Sequence, residues 1–180
     1  MDKDSVYQEI RDWSNKVLEK PNPDFNNLPA CPFAKYSWNK NKVHVMIGEG
    51  GNWKDLLNEI QNFDDTYDVI IYCGLDYDEI SAEEVSDRVN LLNEYICKDN
   101  LWLMGAHPDT EIEHAVNQDD YEPLLEDDYY QLFLQRLDVL VKASDSIKGK
   151  GYYKNYKPKD YESLVNLRSK LWTTAKKIKS

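Results

Sequence analysis

Two short blocks of this sequence contain side chains that could do chemistry. The block LPACPFAK at residues 28–35 holds Cys31, and the block GAHPD at residues 105–109 holds His107 and Asp109. A thiol reacts well near neutrality when a base removes its proton, and imidazole is the commonest such base. The blocks therefore predict a catalytic site with Cys31 as nucleophile or redox thiol, His107 as base and Asp109 as its orienter. Spacing alone leaves a purely structural role for both blocks open.

A βαβαβ pattern over residues 40–107 would position these side chains. Three apolar runs that read as strands alternate with two amphipathic segments that read as helices. Strands that are joined through single helices need crossover connections, so the pattern predicts a small parallel sheet. The predicted strands are residues 42–47, 67–73 and 101–104, and the predicted helices are residues 53–60 and 81–96.

Helices are predicted on either side of this core. Apolar residues at helical spacing indicate an N-terminal helix within residues 1–20, which Pro21 ends. Residues 124–180 are predicted to be helical, with a first long helix over residues 124–147. A basic loop over residues 148–159 separates it from a last helix that begins near Asp160. The whole chain, residues 1–180, is thus predicted to be one α/β domain.

The loops after the three predicted strands carry most of the unusual polar residues. In open parallel sheets ligands bind beyond the carboxyl ends of the strands, where helix N-termini offer free N–H groups. The carboxylates favour a small polar or cationic metabolite as the substrate of an enzyme at this edge. The predicted substrate-binding residues are Glu49, Asn52, Asp76 and Asp78.

A metal site is an alternative hypothesis. Glu111 and His114 stand three residues apart, so a helix would place both on one face, and His107 would be a third ligand. This is half of the pattern found in di-iron helical bundles, and a second Glu-x-x-His is missing. The sequence identifies no cofactor.

The charge is distributed unevenly along the chain. The net charge is -11, but residues 148–180 hold ten Lys or Arg and only two Asp or Glu. An acidic body disfavours nucleic acid as a partner. The basic, Tyr-rich tail over residues 148–180 favours either packing against the acidic body or a protein partner. A non-enzymatic binding or regulatory protein is therefore the alternative to an enzyme.

Cysteine usage and hydropathy indicate a cytoplasmic protein. The three cysteines are an odd number without CxxC spacing, which argues against a disulfide framework and a four-cysteine zinc site. No apolar run reaches the roughly 18 residues that a membrane span needs, which predicts no membrane partner. The charged N-terminus lacks the apolar core of a secretion signal.

The order of the motifs resembles a known family. Cys31-Pro32-Phe33-Ala34, then strand, helix and strand, then His107-Pro108-Asp109, is similar to a widespread bacterial family catalogued as a domain of unknown function. Its members carry a CPFA block near the N-terminus and an FHPD block after the third strand. The similarity covers roughly residues 28–150, and Ala106 stands where the family has Phe. The resemblance implies that Cys31, His107 and Asp109 share a site, but it implies no reaction.

Overall fold

A four-stranded sheet forms the centre of the structure, a computed structural model that describes residues 3–48, 51–75, 77–110 and 129–179. The sheet has the strand order β3-β4-β6-β5, and a separate pair of two-residue strands, β1 and β2, precedes it. The strands are β1 (Pro21–Asn22), β2 (Leu28–Pro29), β3 (Val43–Gly48), β4 (Val69–Gly74), β5 (Leu101–Ala106) and β6 (Tyr130–Arg136).

The sheet is mixed, so the prediction of a small parallel sheet is wrong. Strand β3 pairs with β4 in parallel, but β6 lies between β4 and β5 and is antiparallel to both. The predicted helix over residues 124–147 is wrong for residues 130–136, which form β6, whereas residues 137–147 are helical as predicted. A central strand that is covered on both faces reads as one continuous apolar run, which periodicity does not distinguish from a buried helix.

Apart from that segment, the helices lie where the sequence predicts them, except for the short helix Ala34–Asn39, which the sequence did not predict. The first helix continues beyond Trp13 as a wider π-helical turn over Ser14–Leu18, and a similar turn over Glu162–Asn166 joins the last two helices. The C-terminal part after β6 is helical, as predicted. The helices are α1 (Lys3–Trp13), α2 (Ala34–Asn39), α3 (Lys54–Gln61), α4 (Ala82–Ile96), α5 (Leu137–Lys148), α6 (Pro158–Tyr161) and α7 (Leu167–Lys179).

Each face of the sheet carries its own hydrophobic core. On the α3/α4 face, side chains such as Tyr72, Tyr130 and Leu132 pack with Leu56 and Val85 of those helices. On the opposite α1/α2 face, the buried residues are Val6, Ile10, Trp38, Val43, Val45, Ile71, Cys73 and Tyr129. Alternation of side chains along the strands produces these two faces.

The basic tail is part of the folded body. In α7, Leu171 and Trp172 pack against Leu137 and Val141 of α5. In the loop before α6, Tyr152 stacks on Phe25 with ring centroids 4.9 Å apart. A role for residues 148–180 as a protein-binding surface stays a prediction. No helix in the described part of the chain is long and apolar enough to span a membrane.

Candidate functional site

The carboxyl ends of β3, β4 and β5 lie at one edge of the sheet, because these three strands run in the same direction. Strand β6 begins at that edge and separates β4 from β5. The loops after β4 and β5 nevertheless meet there, since the ring of His107 is hydrogen-bonded to the carbonyl oxygen of Tyr77 at 2.9 Å. The predicted edge therefore exists, although the sheet that forms it is mixed.

The imidazole of His107 is fixed by two backbone groups. The N–H of Asp109 donates to Nδ1 at 3.1 Å, which leaves the proton on Nε2, where it is donated to the Tyr77 carbonyl. The residue is 6% exposed and stacks on Tyr130 with ring centroids 6.1 Å apart. Both nitrogens of a neutral imidazole are thus satisfied, which is the arrangement of a structural histidine.

The carboxylate of Asp109 lies farther from the His107 ring than the backbone N–H of Asp109 does. Its Oδ2 is 3.9 Å from Nδ1 of His107, and the side chain is 77% exposed. In the neutral imidazole Nδ1 carries no proton for a carboxylate to accept. Asp109 therefore orients the ring through its main chain in this structure.

Aromatic side chains fill the sheet edge around His107. The indole Nε1 of Trp53 donates to the hydroxyl of Tyr130 at 2.8 Å, and Tyr130 packs in turn against Tyr72. Two glycines leave room for these rings. A Cβ on Gly48 would lie 1.8 Å from Oη of Tyr72, and a Cβ on Gly74 would lie 2.0 Å from Cζ of Tyr130.

Of the predicted substrate-binding residues, the structure describes Asn52 and Asp78. Asn52 is exposed, and its side chain accepts a hydrogen bond from the backbone N–H of Lys54 at 2.9 Å at the start of α3. Asp78 is also exposed. Glu49 and Asp76 lie outside the described residues. A polar or cationic metabolite at this edge stays a prediction.

The metal hypothesis depends on residues that the structure does not describe. Glu111 and His114 lie outside the described residues. Within the described ranges, no group of three or more His, Cys, Asp or Glu side chains is placed to hold a metal ion. Both nitrogens of His107 are also engaged by the protein itself.

Cys31 lies between β2 and α2, in a segment held by its backbone. Its N–H donates to the Leu18 carbonyl at 2.9 Å, and its carbonyl accepts from the N–H of Ala34 at 3.2 Å. Burial raises the pKa of the thiol, and the backbone N–H groups of Phe33 and Ala34 oppose this rise only in part. The thiol is therefore protonated at neutral pH, whereas a nucleophilic cysteine needs a lowered pKa.

The structure does not bring Cys31 and His107 together. Cys31 lines a cavity on the α1/α2 face of the sheet, whereas His107 stacks on Tyr130 of the α3/α4 core. The two residues are on opposite faces of the sheet. Their shared catalytic role stays a prediction, and the geometry offers no support for it.

The cavity beside Cys31 has a volume of about 330 Å³. It lies between the sheet and the elements α1, α2 and the π-helical turn. Among the described residues that line it, none is Asp, Glu, Lys, Arg or His. The lining side chains from the sheet are Val43, Val69, Ile71, Met104, Ala106, Phe133 and Gln135.

The hydroxyl groups in the cavity wall are already used by the protein. Ser14 donates to Glu19 at 3.0 Å, and Ser37 donates to Asp68 at 2.8 Å. The other side chains with polar groups in the described wall are Cys31 with its thiol, Gln135 with its amide, and Trp13 and Trp38 with their indole N–H groups.

Sequence reasoning missed this cavity and the glutamines beside it. Gln131 and Gln135 flank Phe133 at alternate positions, so all three lie on the α1/α2 face of β6. A period of two within an apolar run was the available signal. The signal is weak because α5 follows this segment directly, and its apolar residues have helical spacing.

The comparisons with known proteins provide no relative from which a role could be inferred. The resemblance suggested by the Cys31 and His107 blocks stays a prediction. No protein-family model, no curated protein and no solved structure matches this chain.

Proposed function

We propose that this protein binds a small, uncharged and mainly apolar molecule in the cavity between the sheet and helices α1 and α2. The observation that carries the proposal is a cavity of about 330 Å³ with an apolar wall and no charged side chain among the described residues that line it. Ligand sites typically have about this volume or more, with apolar walls and a few polar groups that orient the ligand.

The energetics of such a site favour neutral ligands. Burial of apolar surface contributes about 25 cal/mol per Å², so a ligand that buries about 200 Å² of it gains roughly 5 kcal/mol before the cost of association. A charged ligand would lose its hydration without finding an opposite charge on this wall. The cavity therefore supports a carrier, sensor or enzyme for an uncharged molecule.

Cys31 fits this proposal as part of the wall. Burial raises the pKa of its thiol, so the side chain is a small, neutral and polarisable group at neutral pH. Such a group contributes packing to an apolar ligand and needs no general base. The catalytic hypothesis, with Cys31 as nucleophile, His107 as base and Asp109 as orienter, requires contact between residues on opposite faces of the sheet.

Two fluorescent probes test the proposal. Nile red is uncharged and apolar, whereas 8-anilinonaphthalene-1-sulfonate carries a sulfonate. We expect saturable binding of Nile red to the native chain and at least tenfold weaker binding of the sulfonate. Ala106→Phe places a ring in the cavity and should abolish Nile red binding. Ala82→Phe, at the start of α4 and away from the cavity, is the matched control and should bind like the parent chain.

The outcomes separate a cavity from nonspecific adsorption. Nile red binding that is equal in both variants would place the probe elsewhere on the molecule. Equal binding of the two probes would contradict the proposed selection by charge. Circular dichroism and thermal unfolding of each variant show whether it is folded, so a lost signal can be assigned to the cavity.

A further inference from the structure

Gln135 is the one residue with a hydrogen-bonding side chain that the sheet contributes to the described wall of the cavity. The other sheet residues in that wall are Val43, Val69, Ile71, Met104, Gly105, Ala106 and Phe133. Gln135 lies two residues after Phe133 on the same face of β6, and it pairs with Val69 of β4 and Trp102 of β5. A single amide therefore stands on a part of the sheet surface that is otherwise apolar.

The amide of Gln135 is free to bind a molecule in the cavity. Within the part of the chain that the structure describes, this amide has no hydrogen-bond partner, and the residue is only half-buried. The hydroxyl groups of Ser14 and Ser37 in the same wall are already donated to carboxylates. Gln131 on the same strand differs, because its amide atoms are sealed within the fold and it does not line the cavity. Gln135 thus carries the amide that a ligand can reach.

The sheet side of the cavity has room for a ligand that is polar at one end and apolar along its length. Ala106 of β5 lines the cavity and pairs with Gln131, which lies four residues before Gln135 on β6. Four residues span about 13 Å at the rise of a strand. Phe133 lies between these two positions on the same face. A ligand whose polar group contacts Gln135 would therefore lay its apolar part over Phe133 towards Ala106.

The chemistry of this amide defines which ligands it favours. A glutamine side chain presents one carbonyl acceptor and two N–H donors and carries no charge. A ligand hydroxyl can donate to its carbonyl, and a ligand carbonyl can accept from its N–H groups. A hydrocarbon ligand of the same shape would cover the amide and leave it without a partner, which costs affinity. The amide therefore selects for one neutral hydrogen-bonding group on an otherwise apolar molecule.

We infer that the ligand of this cavity is a neutral, mainly apolar molecule with a hydroxyl or carbonyl group at one end, and that Gln135 binds this group. The inference rests on the proposed function, because it names the ligand class of the same cavity. Gln135 is then a specificity-determining residue, which selects for the polar group and against a hydrocarbon of the same shape. The apolar side chains of the wall supply affinity without this selection.

Two matched pairs of biphenyl probes test the inference. 4-Hydroxybiphenyl is compared with 4-methylbiphenyl, and 4-acetylbiphenyl with 4-isopropylbiphenyl, so the members of each pair have nearly the same size and differ in the polar group. Dissociation constants are measured with the full chain by displacement of Nile red. In the parent chain we expect the polar member of each pair to bind at least as tightly as the hydrocarbon, because the hydrogen bond to Gln135 offsets the lost hydration of the polar group.

Gln135→Leu is the variant that distinguishes recognition from packing. It should weaken binding of the polar probes about tenfold and keep binding of the hydrocarbon probes within about twofold, because only the polar groups lose a partner. Gln131→Leu makes the same substitution on the same face of β6 but outside the cavity wall. It is the matched control and should leave the ratio of affinities within each pair unchanged. Gln135→Met, which keeps the length of the side chain, is the second variant if Gln135→Leu does not fold.

The results that would contradict the inference differ from those that would contradict the proposed function. Affinity ratios that are the same in the parent and in both Gln135 variants would place recognition of the polar group at another residue. A parent chain that prefers each hydrocarbon by about tenfold or more would show that no polar group is recognised. In both cases, Nile red binding that Ala106→Phe abolishes would still support the cavity as a ligand site. Binding of neither Nile red nor any of the four probes would instead refute the cavity, and the inference with it.

Discussion

Asp138 offers the clearest quantitative test of how this fold is held together. It is the second residue of α5 and is 8% exposed. One carboxylate oxygen accepts from Nδ2 of Asn100 at 2.7 Å and from Nε of Arg136 at 3.1 Å, and the other accepts from Nζ of Lys142 at 2.7 Å. The carboxylate therefore links the end of β6, the start of α5 and the turn before β5. The substitution Asp138→Asn removes the negative charge of this side chain and keeps its shape.

The expected magnitude follows from the pKa of this carboxyl. Burial acts to raise the pKa, but hydrogen bonds from Lys142 and Asn100 and the charge of Arg136 outweigh it and lower the pKa from 3.8 to about 2. At about 1.4 kcal/mol per pKa unit, this corresponds to roughly 2.5 kcal/mol of stability. Because the pKa is lowered on folding, this stability is fully present above the unfolded pKa. It is lost as the pH falls from about 4 through about 2.

Urea unfolding across a series of pH values measures both effects. At pH 7 we expect Asp138→Asn to lower the free energy of unfolding by about 2 kcal/mol. Below about pH 3 the difference between variant and parent should shrink, because the parent also loses its charge. Asp145→Asn, an exposed carboxylate on the same helix, should stay within about 0.5 kcal/mol of the parent. A deficit for Asp138→Asn that stays constant down to pH 2 would refute the assignment of stability to this charge.

Two further predictions concern the cysteine and the aromatic edge. Alkylation of Cys31 by iodoacetamide, followed by peptide mass mapping, should be slow at pH 7, accelerate only above about pH 8.5, and be unchanged in His107→Ala. A thiol that titrates below pH 7 and shifts upward in that variant would instead support the predicted Cys–His pair. Gly74→Ala should destabilise the protein by about 1–3 kcal/mol in thermal unfolding, because the added Cβ would lie 2.0 Å from Cζ of Tyr130. Wild-type stability would show that the ring moves aside freely.

The parts of the fold that local patterns specify were predictable from the sequence. Strands β3, β4 and β5 and helices α3 and α4 have clear periodicity, and Ser81 caps α4 by accepting from the N–H of Glu84 at 3.2 Å. The position of β6 was not predictable, because which strand occupies the gap between β4 and β5 depends on long-range pairing. Its alternation of Gln131 and Gln135 with apolar residues is interrupted by Phe133, because both faces of the strand are buried, so the pattern is weaker than that of a half-exposed strand.

The candidate site shows the same limit. The position of His107 at the carboxyl edge of the sheet was predictable from the sequence, because it depends only on the common direction of β3, β4 and β5. That aromatic rings fill this edge depends on Gly48 and Gly74 standing beside Tyr72 and Tyr130, a tertiary relation that one sequence does not encode locally. The sequence identifies Cys31 as a residue that could do chemistry. The structure places it in the wall of a cavity to which four separate strands contribute, and that arrangement is not encoded locally.

The central place of β6 has a consequence for the order of folding. It follows β3, β4 and β5 in the sequence, yet it hydrogen-bonds on both sides, to β4 and to β5. Until residues 130–136 have been synthesised, β4 can pair only with β3 and β5 lacks its partner in this sheet, so both expose unpaired backbone groups. Such distant pairing is slow to form and leaves incomplete chains prone to association. Completion of the sheet, and of the cavity on its α1/α2 face, must therefore wait until residues 130–136 have left the ribosome.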